Sequence, residues 1–155
     1  MGKLNWQRII LGGLLAGVII DAFEWVTNGV IFASDWADVM KTLNSSTNFS
    51  VKQIMALNVW GFLTGIAMVW LYAAIRPRFG AGPKTAVLAG AAMWFMNYAL
   101  GGAFPVVSHL YPVDLAAVTT MIGLVEAVAA ALAGAWLYKE ASQPEAAEFS
   151  RAAGS

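Results

Sequence analysis

The stretch Ile9–Phe32, IILGGLLAGVIIDAFEWVTNGVIF, decides the class of this chain. An apolar helix of about 20 residues crosses the ~30 Å hydrocarbon core of a bilayer. The stretch is long enough for that, although Asp21 and Glu24 interrupt it. Its length and these carboxylates argue against a cleaved signal peptide, whose apolar region is shorter. We therefore interpret it as a retained transmembrane helix that carries polar residues.

The composition of the whole chain is that of an integral membrane protein. Of its 155 residues, 59% are hydrophobic and 12% are charged, whereas soluble domains carry about 25% charged residues. The net charge is zero and there is no basic run, so the sequence predicts no nucleic-acid partner. The chain has no cysteine, which excludes disulfides, thiolate metal sites and cysteine nucleophiles.

Three further stretches are long and apolar enough to span a bilayer. The sequence therefore predicts an all-α membrane protein, an antiparallel four-transmembrane-helix bundle, in a single domain of residues 1–140. Residues 141–155 are rich in Ala, Ser and Glu, and we interpret them as a mobile cytoplasmic tail. Ser50 with Gln53 forms a capping-box pattern, and Asp114 is a candidate N-cap. The predicted spans are Ile9–Phe32, Val51–Ile75, Lys84–Phe104 and Leu115–Tyr138.

The first loop contains a short amphipathic segment, Asp35–Leu43. At helical spacing, one face carries Trp36, Val39, Met40 and Leu43. A helix with one apolar face suits the surface of a membrane. We therefore expect a short interfacial helix that lies along the outer surface of the bilayer.

Basic residues are concentrated at one end of the predicted spans. Because basic residues accumulate on the cytoplasmic side of a membrane, both termini and the second loop are predicted to be cytoplasmic. The predicted location is the bacterial inner (cytoplasmic) membrane, with the lipid bilayer as the first partner and the first and third loops outside. The residues that set this bias are Lys3, Arg8, Arg76, Arg78, Lys84 and Lys139.

The two halves of the chain resemble each other. Residues 14–17, LLAG, match residues 87–90, VLAG, and residues 70–72, WLY, match residues 136–138, WLY. The first of these registers also pairs Glu24 with Asn97 and Trp25 with Tyr98. A repeat of two spans keeps its orientation and predicts a pseudo-twofold axis along the membrane normal. Chance similarity between apolar strings is the alternative.

Each predicted span carries one stripe of small and polar residues. With about 3.6 residues per turn, Gly17, Asp21 and Glu24 fall on one face of the first span. Small residues let membrane helices approach closely, and polar side chains bond across the interface. We expect the polar members of the stripes to meet in one pocket, from the middle of the membrane toward the outer face. These candidate residues for binding a proton or a small cation are Asp21, Glu24, Glu126, Asn58 and Asn97.

The candidate residues have two interpretations. Asparagines and protonated carboxyl groups can simply bond helix to helix, at about 0.6 kcal/mol each on average, and we favour this for Asn58 and Asn97. For Asp21 and Glu24 we favour a functional site, because two charges on one helical face in a membrane repel. One of them must carry a proton, or a cation must lie between them. Glu126 fits either interpretation.

Other chemistry finds little support in the sequence. His109 is the only histidine and lies in a predicted loop, so two-histidine haem ligation within one chain is excluded and a carboxylate metal site has its histidine at the wrong depth. Ser108 beside it has no acid placed to complete a triad, and no phosphate-binding glycine motif is present. The sequence therefore predicts no catalytic residue, no metal site and no cofactor.

Short motifs along most of the chain carry a distant resemblance to a known family. They are Asn5-Trp6, Glu24-Trp25, Val30-Ile31-Phe32, Asp35-Trp36 ahead of Met40-Lys41, GPKTAVLAGAAMWF at 82–95 and AGAWLY at 133–138. The pattern resembles a family of small bacterial four-span membrane proteins that is catalogued only as a domain of unknown function. The resemblance implies a four-span fold and brings no assigned chemistry.

Two classes of function follow from these observations. In the first, Asp21 and Glu24 bind a proton or a small cation in a transporter, channel or sensor. In the second, the chain is a non-catalytic accessory or structural subunit, in a homo-oligomer or a larger membrane complex, and its stripes are docking faces. The carboxylates without a basic partner favour the first, and the small size of the bundle favours the second. An enzyme comes third, because the sequence names no substrate or cofactor.

Overall fold

A computed structural model describes residues 4–138 of the chain, and this part is helical and contains no strand. Its four long helices are each apolar enough to cross a membrane by length and composition. The predicted all-α fold with four transmembrane helices is therefore confirmed. The tail predicted at residues 141–155 lies outside the described residues. The four spans are Trp6–Ile31, Val51–Phe79, Pro83–Val107 and Val113–Leu137.

Two of the spans change their helical geometry along their length. The first span is α1 (Trp6–Val26) followed by a π-helical segment, Thr27–Ile31. The third span begins as α4 (Pro83–Trp94), passes through a second π-helical segment, Phe95–Leu100, and ends as α5 (Gly101–Val107). The remaining elements are α2 (Ala33–Thr42) in the first loop, α3 (Val51–Phe79) as the second span and α6 (Val113–Leu137) as the fourth.

Of the two N-caps predicted from the sequence, the one of α3 is confirmed and the one of α6 is wrong. The Ser50 side chain accepts a hydrogen bond from the backbone N–H of Gln53, whose side chain accepts one from the backbone N–H of Ser50, so the predicted capping box is confirmed. Asp114 is not the N-cap of α6. That position is Pro112, and Asp114 lies in the first turn, where its charge faces the positive end of the helix dipole.

Small residues set the close approaches between the spans. The backbone of Gly65 in α3 lies against Gly17 in α1, so a side chain at either position would collide with the other helix. Gly90 in α4 lies in the same way against Ala131 in α6. Under the registers that relate the two halves of the sequence, position 17 corresponds to 90 and position 65 to 131. The two contacts are therefore equivalent, as a repeat of two spans predicts.

The neighbour relations of the helices agree with the same repeat. The first span packs against the second and the fourth, and the third span also packs against these two. The rings of Tyr72 and Tyr138, which are matched in the two halves, form a T-shaped pair with centroids 5.9 Å apart. Equivalent side chains meet in this way where a pseudo-twofold axis passes between them.

The bundle has two distinct ends. The α2 end carries α2 and the connection of residues 108–112, and the opposite end, the terminal end, carries residues 79–83 and the start of α1. The described basic residues at the terminal end are Arg8, Arg76, Arg78 and Lys84, and those at the α2 end are Lys41 and Lys52. At the α2 end residues 51–60 of α3 are all exposed. This part of the second span is therefore not packed into the bundle.

The predicted short helix is present as α2. Val39 on its apolar face is buried, and Trp36 and Met40 are half-buried, so this face packs partly onto the bundle. Leu43 just beyond its end is exposed. The position of α2 relative to a bilayer surface stays a prediction.

Candidate functional site

Glutamates from two different spans meet at the hydroxyl of one tyrosine. Glu24 lies on α1, Glu126 lies on α6, and Tyr98 comes from the second π-helical segment. The Tyr98 hydroxyl oxygen lies 2.6 Å from Oε1 of Glu24 and 2.6 Å from Oε1 of Glu126. These are the distances of strong hydrogen bonds between oxygens. We call Glu24, Tyr98 and Glu126 the carboxyl–tyrosine triad.

Hydrogen counting shows what this geometry requires. A phenol has one proton, so the Tyr98 hydroxyl can donate to only one of the two carboxyl groups at a time. The other contact is a hydrogen bond only if that carboxyl group is protonated and donates to the phenol oxygen. The triad is therefore satisfied with one carboxylate and one neutral carboxyl group. With two carboxylates, one short oxygen–oxygen contact would be repulsive.

The other hydrogen bonds of Glu24 indicate which carboxyl is charged. The side-chain amide of Asn28 donates to Oε2 of Glu24 at 2.5 Å, and the Trp36 indole N–H donates to Oδ1 of Asn28 at 2.8 Å. Because an indole N–H can only donate, it fixes the amide with its NH₂ group toward Glu24. Glu24 thus has a donor at each oxygen, which is the environment of a carboxylate.

Glu126 has the environment of a neutral carboxyl group. Only 3% of its surface is exposed, and within the described residues the Tyr98 hydroxyl is its one hydrogen-bond partner. No basic side chain lies inside the spans near it, since the basic residues of the described chain are all near helix ends or in α2. An unpaired charge at such a position is costly. The arrangement therefore favours the proton on Glu126.

Asp21 lies one helical turn from Glu24 toward the terminal end and does not join the triad. Its Oδ1 occupies the space beside Gly61 of α3, where a Cβ would overlap it. Its Oδ2 is buried and has no hydrogen-bond partner among the described residues. A buried acceptor in this state needs a proton, a water or a cation beside it. Asp21 is one turn from Glu24 on α1, and Glu24 meets Glu126 at the Tyr98 hydroxyl, so the three predicted acids share one region.

The two predicted asparagines are placed differently. Asn58 is exposed on the part of α3 that leaves the bundle, and its amide donates to the backbone carbonyl of Ile54 at 2.8 Å. It does not line the space of the acids, in contrast to our expectation. The small-residue stripe of α3 ends at Gly61, and beyond that point the helix no longer approaches its neighbours. Asn58 is satisfied locally instead.

Asn97 is exposed, and its neighbour Tyr98 takes the inward position. Asn97 was expected to share the face of Gly90 because the two are seven residues apart, which is two turns of an α-helix. The intervening segment is partly π-helical, so this spacing does not apply. A π-helix bonds i to i+5, so each turn holds about one residue more than an α turn. Position 98 therefore falls on the face of Gly90, where position 97 would lie in a regular α-helix.

Tyr98 and Trp36 are the site residues that the sequence reasoning missed. In the sequence Trp36 lies on an apolar face and Tyr98 at a repeat position, although two signals indicate Tyr98. It is matched with Trp25 beside Glu24 in the other half of the chain, and its ring packs on Gly123 of α6, where a Cβ would collide with it. A glycine one turn before Glu126 thus makes room for the ring that carries the shared hydroxyl.

A cavity of about 160 Å³ opens beside the triad at the α2 end. Trp36 and Tyr111 form part of its wall as a T-shaped pair with ring centroids 5.0 Å apart. Asn28 and Tyr98, the two hydrogen-bond donors of Glu24, also line it. Its remaining lining residues are Asn97, Gly102, Ala116, Thr119 and Thr120. The cavity therefore gives an approach to the triad from the α2 end.

Within residues 4–138, no group of three or more His, Cys, Asp or Glu residues is placed to hold a metal ion. Searches against family models, curated proteins and solved structures gave no match for the chain. Function must therefore be inferred from the geometry of the site.

The hydroxyl of Tyr98 should contribute measurably to stability. In Tyr98→Phe the ring and its contact with Gly123 remain, but Glu24 and Glu126 lose their shared partner, so we expect unfolding in detergent to become easier by about 1–3 kcal/mol. The matched control is Tyr111→Phe, because within the described residues the Tyr111 hydroxyl has no hydrogen bond and its ring contact is retained. Equal stability of the two variants would contradict the shared hydrogen bonds.

Proposed function

We propose that this protein is a polytopic membrane protein that takes up and releases a proton at the carboxyl–tyrosine triad, as part of a transporter, channel or sensor. The observation that carries the proposal is the single Tyr98 hydroxyl between Glu24 and Glu126. Such an arrangement holds one proton more than the hydroxyl supplies, and it changes its hydrogen bonds when that proton leaves. Ionisable residues inside a membrane most often mark a pathway of this kind.

The surroundings of the triad support proton exchange over a purely structural role. Asn28 and Tyr98 line the cavity at the α2 end, so water in the cavity would be one hydrogen bond from Glu24. One turn deeper in the bundle, Asp21 has a buried oxygen, Oδ2, without a hydrogen-bond partner among the described residues. Acids at successive depths are the elements from which a proton relay is built.

The proposal includes an orientation in a bacterial inner membrane, with the α2 end outside and both termini in the cytoplasm. The basic residues at the terminal end support it, because positive charge is retained on the cytoplasmic side. In this orientation the cavity faces the exterior. The resemblance to the small bacterial four-span family stays a prediction.

The orientation can be tested by labelling, since the chain has no cysteine of its own. We expect Ser46→Cys, in the first loop, to react with a membrane-impermeant maleimide on intact cells. Ala81→Cys, in the second loop, should react only after the membrane is opened. The reverse pattern would show that the α2 end faces the cytoplasm.

A second candidate function is an accessory subunit of a homo-oligomer or a larger membrane complex. The observation that favours it is the exposure of all residues 51–60 in α3, which leaves Asn58 and Trp60 on an uncovered surface of the part of the chain that the structure describes. A polar amide at membrane depth is a common contact between helices of different chains. Purification in mild detergent tests this candidate, because an obligate subunit is recovered with its partners.

Proton flux tests the first candidate directly. Liposomes that contain the protein should dissipate a pH gradient faster than protein-free liposomes, and Glu24→Gln with Glu126→Gln should abolish this difference, because an amide cannot exchange the proton. The control is Asp114→Asn, which removes an exposed carboxylate at the α2 end. If the folded double variant still carries the wild-type flux, the triad does not conduct protons. If it instead loses co-purifying partners, the second candidate is correct.

A further inference from the structure

The cavity at the α2 end is lined by aromatic and polar side chains. Two aromatic residues, Trp36 and Tyr111, form its wall, and Tyr98 presents a third ring. Packing defects are usually lined by aliphatic groups and stay dry. Here amide and hydroxyl groups converge on the same space, and within the described residues the side chain of Asn97 has no hydrogen bond. The polar residues of the lining are Asn28, Asn97, Thr119 and Thr120.

The cavity volume limits the size of a ligand. A water molecule occupies about 30 Å³, so about 160 Å³ corresponds to roughly five waters or one small organic molecule. A bare metal ion is too small to fill this volume. No group of three acids or histidines in residues 4–138 would hold it. The site therefore fits a compact organic ligand.

The charges around the cavity determine the sign of the ligand. No Lys, Arg or His is among the lining residues. Glu24 is hydrogen-bonded to two of them, Asn28 at 2.5 Å and Tyr98 at 2.6 Å, and within residues 4–138 it has no basic partner. Outside the cavity, the only basic side chain of α2 is already paired, since Lys41 lies 2.8 Å from Asp38. The uncompensated charge near the cavity is negative.

We propose that this cavity binds a small organic ammonium ion, with its charge against the rings of Trp36 and Tyr111 and balanced by the carboxylate of Glu24. Aromatic faces attract ammonium groups, and they do so most strongly where water is excluded. Asn97 and Thr120, whose side chains have no hydrogen bond within the described residues, can bond a hydroxyl or amide group of the ligand. The inference rests on the proposed function, because it names the substrate class of the same site.

Binding of the ammonium ion then competes with the proton of the triad. A positive charge in the cavity favours a second carboxylate in the triad, so the ligand displaces a proton, and by linkage the ligand binds more tightly as the pH rises. Apart from its own members, the triad is faced by one titratable group of the described residues, Asp21, which lies one turn from Glu24 on α1. Those at the α2 end are the half-buried Tyr111 in the cavity wall and six exposed residues, Asp35, Asp38, Lys41, Lys52, His109 and Asp114.

The test uses the full chain in detergent micelles, with choline as the probe and 3,3-dimethylbutanol as its neutral counterpart of the same shape. We expect calorimetry to show that choline binds at least tenfold more tightly than the alcohol and releases protons to the buffer. Tyr111→Leu should weaken choline binding several-fold, because it keeps an apolar side chain but removes the ring. The control is Trp60→Leu, which removes an exposed aromatic ring from α3.

Each other outcome overturns the inference. Equal binding of choline and the alcohol would show a site for neutral ligands, and absence of binding would show no organic ligand of this class. If neither Tyr111→Leu nor Glu24→Gln changes choline binding, then choline binds at the surface, near the acidic residues of α2, and not in the cavity. The flux assay stays independent of these results, because a protein that conducts protons but ignores choline retains the proposed function and loses only this substrate class.

Discussion

The interaction on which the site depends is the pair of short hydrogen bonds that the Tyr98 hydroxyl makes with Glu24 and Glu126. Acids from α1 and α6 would repel one another in a medium where charge is poorly solvated. One hydroxyl and one additional proton turn this repulsion into two hydrogen bonds. The same hydroxyl ties the third span to the first and the fourth, so the chemistry of the site and the packing of the bundle cannot be separated.

Several local features exist to bring that hydroxyl into place. Gly123 leaves room for the Tyr98 ring on α6, and the π-helical segment turns Tyr98 inward at a position where an α-helix would present Asn97. π-helical turns occur often at functional sites, and this one redirects a side chain without ending the span. The first span has such a segment at the same end of the bundle, directly after the turn that carries Glu24.

The architecture could be predicted from the sequence because it follows from apolar length and from the spacing of small residues. The four spans, the capping box at Ser50 and the short helix α2 all depend on such local patterns. The site was only partly predictable. Asp21, Glu24 and Glu126 were found because acids in apolar helices are conspicuous, whereas Tyr98 and Trp36 resemble ordinary membrane aromatics. Asn58 does not join the acids because α3 is exposed beyond Gly61. The π-helical turn brings Tyr98 to the acids in place of Asn97, which instead lines the cavity beside them.

Infrared difference spectroscopy tests the central claim most directly, because a protonated carboxyl group has a C=O absorption that a carboxylate lacks. At neutral pH we expect such a band from Glu126 in the membrane interior, and it should shift in D₂O. Glu126→Gln should remove this band, Tyr98→Phe should shift its frequency by removing the hydrogen-bond partner, and Asp114→Asn should leave it unchanged. If the protein shows no protonated carboxyl at neutral pH, or shows one that neither Glu126→Gln nor Tyr98→Phe affects, then the carboxyl–tyrosine triad does not share a proton.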